Sequence, residues 1–323
     1  MTNSAIQRHY VDALGRRHRP PAATVDVITT AMAGAPSGDD RVVVVRSGSQ
    51  PAWGPAEIRL EDGTTRTVDR RLPPDLPEGY HRILRRGVAE ARLIVAPFAC
   101  YLPDDYKTWG WAIQLYAARS RKSWGIGDLG DLRRLGRWAK AQGAGIAMIN
   151  PLASPLPLLP QQASPYFPSS RLFRNPLFLS VEALPGARDL KGYAEWSRQG
   201  RALNREPLID RDAIFTLKAA AFDAVWRTVR RRRDAEFERF VNEQGPVLRQ
   251  YATFCAFSER FGCGRHGWAG DLKHPGAPGV ARLAEEPAIA DRIRFHQWLQ
   301  FQIDRQLARA SAVLPVMQDL PIG

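Results

Sequence analysis

Trp111-Ala112-Ile113-Gln114-Leu115-Tyr116, then Ser123-Trp124-Gly125-Ile126-Gly127-Asp128-Leu129-Gly130-Asp131-Leu132, then Ile146-Ala147-Met148-Ile149 is the stretch on which the fold turns. The first run has strand character. Asp128 or Asp131 can accept hydrogen bonds from the free N–H groups that open a helix. Leu132, Leu135, Trp138 and Ala139 give that helix an apolar face, and Gly143 is placed to end it. Ile146 to Ile149 is continuously apolar, as a parallel strand buried on both faces would be. The result is one β-loop-α-β unit.

Working outward, residues 1–38 read as a helical segment ending in the turn-rich Gly34-Ala35-Pro36-Ser37-Gly38. Val42–Val45, Glu57–Leu60, Thr64–Val68 and Arg92–Val95 are short extended runs, and Glu61-Asp62-Gly63 is a hairpin signal. They predict a β-sandwich-like module over 39–103, with Pro97–Pro103 as a linker. Residues 104–323 carry the β/α pattern, interrupted by a helical insertion at about 185–285. A long helix bearing Phe295, Leu299, Ile303 and Leu307 then leads to a third strand, Val316-Met317-Gln318, with Asp319 at its end.

Composition narrows the partners. No apolar run is long enough to cross a membrane, and the arginine-rich first twenty residues carry no secretory signal. The cysteines, Cys100, Cys255 and Cys263, have no C-x-x-C spacing, so neither a disulfide framework nor a metal site is expected, and a cytoplasmic setting fits. A net charge of +13 admits nucleic acid as a partner. However, Arg230–Arg233 is followed at once by Asp234, Glu236 and Glu238, which reads as one solvated side of a long helix. No aromatic-basic interleaving accompanies it, so nucleic acid is the weakest reading.

In parallel β/α folds ligands gather at the carboxyl ends of strands. Gly125, Gly127 and Gly130 have the G-x-G-x-x-G spacing, but they lie too far beyond Tyr116, and Asp128 and Asp131 would repel a pyrophosphate. The loop after Ile149 contains Ser164-Pro165-Tyr166-Phe167-Pro168-Ser169-Ser170-Arg171 and Asn175-Pro176-Leu177. A tyrosine offers a flat apolar face and a hydroxyl, a combination suited to a sugar ring, and flanking prolines stiffen its loop. A tyrosine that simply packs the loop fits the spacing equally well.

Taken in order, Trp111–Tyr116, Ser123–Asp128, Asn150-Pro151-Leu152, Ser164–Arg171, Asn175-Pro176-Leu177 and Asp319-Leu320-Pro321 resemble the amylomaltase family, the 4-α-glucanotransferases. The resemblance is strongest over 107–185 and returns at 248–323, while 1–100 is similar to the extra amino-terminal modules of longer bacterial members. It implies an α/β chain whose second part is a partial (β/α)8 TIM barrel, with no cofactor and no metal. It also implies α-1,4-glucan and maltooligosaccharide substrates, with Ser164, Tyr166 and Asp319 contacting the sugar at the cleavage site. Retaining transfer needs two carboxyl groups about 5–5.5 Å apart. In the family these acids come from strands later than the three read here, so the expectation is a chain with no catalytic carboxylate and no activity alone. One departure is Ala153-Ser154-Pro155, where the family often has a histidine. The alternatives are a non-catalytic glucan-binding or interaction module and, more weakly, a nucleic-acid binder.

Overall fold

A computed structural model describes residues 6–7, 9–33, 42–85, 88–101, 105–262 and 267–322. The fold is α/β, in two compact units, Met1–Tyr106 and Lys107–Gly323. The Gly34–Gly38 turn, part of the Pro97–Pro103 linker and Cys263 lie outside the described residues.

In the first unit, β1 (Tyr10–Val11) and β2 (Arg17–His18) pair antiparallel ahead of α1 (Ala22–Ala33). β3 (Val42–Arg46), β4 (Ala56–Arg59), β5 (Thr65–Val68), β6 (Gly79–Arg85) and β7 (Val88–Ala96) form one sheet in the order β3-β7-β6-β4-β5. β4 and β5 make the expected hairpin, and Gly63 in its turn has φ +86°. Two packed sheets are expected here, yet the described residues of 42–96 build one. Leu72 and Leu76, from the segment before β6, pack on Ile58, Val68, Ile83 and Leu93. Loop side chains thus do part of what a second sheet would do.

The second unit opens with β8 (Gly110–Ile113), α2 (Leu129–Ala141) and β9 (Ile146–Ile149), followed by the antiparallel pair β10 (Ala153–Ser154) and β11 (Ser170–Arg174). The helices α3 (Tyr193–Ala202), α4 (Arg211–Val229), α5 (Ala235–Phe261), α6 (Pro278–Ala284) and α7 (Pro287–Ser311) precede β12 (Val316–Gln318). α5 kinks at Gly245, which precedes Pro246. The three parallel strands order as β12-β9-β8, with Trp111, Ala147 and Val316 in one row and Ala112, Met148 and Met317 in the next. Successive rows point to opposite faces. Ala147 is fully buried while Met148 is 38% exposed, so β9 alternates rather than being covered on both sides as its apolar run predicts.

Trp124, Ile126, Leu129, Leu132, Phe222 and Trp298 belong to the main core of this unit. Burying each large apolar side chain contributes roughly 1.5–3 kcal/mol. Arg230–Arg233 does not lie along a helix side as expected. α4 ends at Val229 and α5 begins at Ala235, so the run forms the turn between them. No described helix is long and apolar enough to cross a membrane.

Candidate substrate site at the strand ends

The segment 123–131 underpins the site. Gly125 has φ +75°, in the left-handed region that favours glycine, and Gly127 donates its N–H to the Tyr116 carbonyl at 3.0 Å. A Cβ on Gly127 would stand 1.9 Å from the Leu115 carbonyl oxygen, so the close approach requires glycine. Asp128 caps α2: its Oδ1 accepts from the N–H groups of Gly130 and Asp131, while Asp131 Oδ2 accepts from the Asp128 N–H. This reciprocal box occupies N–H groups that a phosphate would need. The nucleotide reading is thereby removed on geometry.

Beneath the cap the chain buries charge. Burial pushes Asp128 up to about 6, Asp131 adds to the rise, and the nearby Lys218 charge and backbone N–H bonds oppose it. Burial likewise pulls Lys218 below its ordinary value against the attraction of both aspartates. Both groups are thus moved toward neutrality, as desolvation requires. Lys218 Nζ donates to the carbonyls of Leu177 and Leu179 at 2.7 and 2.8 Å, tying α4 to the turn that follows Asn175-Pro176. Asn150 Oδ1 accepts from the Leu115 N–H at 2.7 Å, which joins the ends of β8 and β9.

Above this base the structure brings together the three sugar-site candidates. The Asp319 N–H donates to the Ile149 carbonyl at 2.9 Å, setting Asp319 at the carboxyl end of β12. The Tyr166 hydroxyl donates to Asp319 Oδ2 at 2.7 Å, and Asp319 Oδ1 accepts from the Leu320 N–H at 2.8 Å. Ser164 Oγ accepts from the Tyr166 N–H at 3.3 Å. Arg171 Nη2 donates to the Ile322 carbonyl at 3.0 Å, a second tie between this loop and the segment after β12. Tyr166 is 38% exposed, so it is not closed inside the core. The hydrogen bond to Asp319 holds the Tyr166 hydroxyl above its ordinary pKa, helped by burial and by the negative charge of Asp319. That group therefore stays a protonated donor, and the carboxylate keeps lone pairs for further hydroxyls.

Two neighbours are not among the sugar contacts that the motifs single out. Tyr116 and Arg211 line a recess with Ile126 and Ser164, and the Arg211 guanidinium lies 5.4 Å from the Tyr116 ring centre. Arg211 carried no sequence signal beyond opening a helix. Among the described residues no carboxylate lines this recess. Ser154, within the departing stretch Ala153-Ser154-Pro155, shares a 2.7 Å hydrogen bond with the Tyr251 hydroxyl. No group of three or more His, Cys, Asp or Glu among the described residues is arranged to hold a metal ion.

A 4-alpha-glucanotransferase family model matches residues 113–323. The 4-alpha-glucanotransferase of Mycobacterium tuberculosis (strain ATCC 25618 / H37Rv) is 40% identical over 336 residues, covering 87% of this chain and 46% of that protein. The Haemophilus influenzae 4-alpha-glucanotransferase is 30% identical over 265 residues, covering 73% and 38% respectively. The chain thus spans less than half the length of these two relatives. The crystal structure of amylomaltase from Corynebacterium glutamicum shares the fold, with a TM-score of 0.74 at 24% identity, over 98% of this chain and 53% of that one. Since the matched residues carry both the loop that holds Tyr166 and the strand that presents Asp319, the chain belongs to the 4-alpha-glucanotransferase family.

Proposed function

We propose that this chain supplies the sugar-contacting floor of a 4-α-glucanotransferase acting on α-1,4-glucans and maltooligosaccharides. β8, β9 and β12 are then the first three strands of a (β/α)8 barrel. Tyr166 lies under a glucose ring, Asp319 accepts hydrogen bonds from its hydroxyls, and Ser164 sets the loop. The observation that carries this reading is the 2.7 Å bond between Tyr166 and Asp319, residues 153 apart in sequence. A half-exposed tyrosine beside a carboxyl acceptor at strand ends suits a polyhydroxylated ring better than an apolar ligand. The free thiols of Cys100 and Cys255 fit a cytoplasmic setting.

Calorimetric titration of the chain with maltooligosaccharide tests the floor. Tyr166→Phe keeps the ring but frees Asp319 of its donor, and Tyr166→Ala removes both. Alanine is expected to weaken binding by about tenfold or more, with phenylalanine between it and the parent. Equal affinity in all three would discard the assignment.

Retaining transfer requires a nucleophilic carboxylate and an acid/base carboxyl about 5–5.5 Å apart on either side of the scissile bond. We place both outside this chain. Incubated alone with maltotriose, the chain is therefore expected to leave the sugar lengths unchanged by chromatography. Longer and shorter maltooligosaccharides appearing together would show that the acids are present after all.

A further inference from the structure

The Arg230–Arg233 turn has no part in that reading. Arg230, Arg232 and Arg233 line a cleft of about 460 Å³, which α7 also lines through Asp291, Arg294 and Trp298. Every acid on the cleft wall is engaged. Asp234 caps α5 by accepting from the N–H groups of Glu236 and Phe237, and Asp291 accepts from Arg230 at 3.0 Å and Trp226 Nε1 at 3.3 Å. Glu238 pairs with Arg294, and Glu236 lies 3.6 Å from Arg305. Arg232 and Arg233 are exposed, and among the described residues neither has a carboxylate within ion-pair distance.

The cleft thus holds two neighbouring guanidinium forks that, among the described residues, make no ion pair of their own. A fork matches the oxygens of a phosphoryl group bidentately, and two forks together present more donors than a single carboxylate can use. The space is much larger than one phosphoryl group fills, and Val229, Trp226, Trp298 and Pro185 offer carbon on its wall. We propose that this cleft binds a small phosphate monoester. Arg232 and Arg233 hold the phosphoryl group, and the organic body lies against Val229 and Pro185. The site is separate from Tyr166 and Asp319 and does not depend on their role.

The test is calorimetric titration of the whole chain, in phosphate-free buffer, with glucose 1-phosphate, AMP and inorganic phosphate. At least one ester is expected to bind about tenfold more tightly than inorganic phosphate, and which one identifies a sugar or a nucleotide source. The Arg232→Gln/Arg233→Gln double variant is expected to lose that binding by tenfold or more while melting at the parent temperature. Should it melt lower, Arg232→Lys/Arg233→Lys keeps both charges, and several-fold weaker ester binding in a fully folded variant carries the same information. The proposal is overturned if neither ester outbinds inorganic phosphate, or if binding survives in both double variants.

Discussion

Trp124→Ala is expected to lower the melting temperature of the Lys107–Gly323 unit by roughly 10 °C. The side chain is 2% exposed and belongs to the main core, and its ring centre lies 6.5 Å from that of Tyr193. α3 comes so close that a Cβ on Gly200 would stand 2.4 Å from the indole. The surrounding helices therefore cannot simply collapse into the space that truncation leaves. Aromatic-to-alanine changes in such sites cost about 3–5 kcal/mol. For a unit of this size each kcal/mol moves the midpoint by about 2–4 °C. Trp124 Nε1 is buried with no hydrogen-bond partner among the described residues, so the loss is one of packing, and Trp124→Phe should recover a large share of it. Differential scanning calorimetry of the three proteins decides the matter; a shift below about 2 °C for alanine would mean the site repacks freely.

Glu259→Gln is expected to destabilise the same unit by about 3 kcal/mol at neutral pH, and by progressively less in acid. Arg292 on α7 grips Glu259 of α5 through two hydrogen bonds of 2.7 and 2.8 Å, and donates a third of 2.7 Å to Asp223 of α4. His296 Nε2 donates to the same Glu259 carboxylate at 3.0 Å. Burial alone would raise the Glu259 pKa, but the hydrogen bonds and charges of His296 and Arg292 outweigh it and lower the value to about 2. The folded-state pKa lies below the ordinary 4.5, so the stabilisation is complete above about pH 4.5 and disappears as pH falls through 2. Urea titrations of parent and variant at pH 7 and pH 3 should show the gap between them narrowing. A gap independent of pH would assign the effect to lost packing rather than to the carboxylate charge.

The readability of the chain follows the range of the forces involved. Asp128 and Asp131 announce their helix because a cap is made between residues two or three apart. Tyr166 and Asp319 stood out as candidates through motif resemblance, although their contact depends on everything folded between them. β6 carries no clear strand signal because Gly79-Tyr80-His81-Arg82-Ile83-Leu84-Arg85 mixes basic and apolar residues. His81 is nevertheless buried, accepting from the Glu61 N–H through Nδ1 while Nε2 donates to the Pro77 carbonyl. The Arg292 grip was equally hidden, since Asp223, Glu259 and Arg292 meet only when three separate helices pack. Arg230–Arg233 forms a turn although its charge suggests a helix side, because charge density reports solvation and carries no information on where a helix stops.

The bond from Tyr166 to Asp319 closes a loop of 153 residues. Loop-closure entropy makes such a contact unfavourable until the intervening helices have condensed, so it depends on the packing of the whole unit. A ligand seated on the pair would then be sensing the cooperative integrity of the whole unit, and its binding free energy would return to that unit as resistance to global opening.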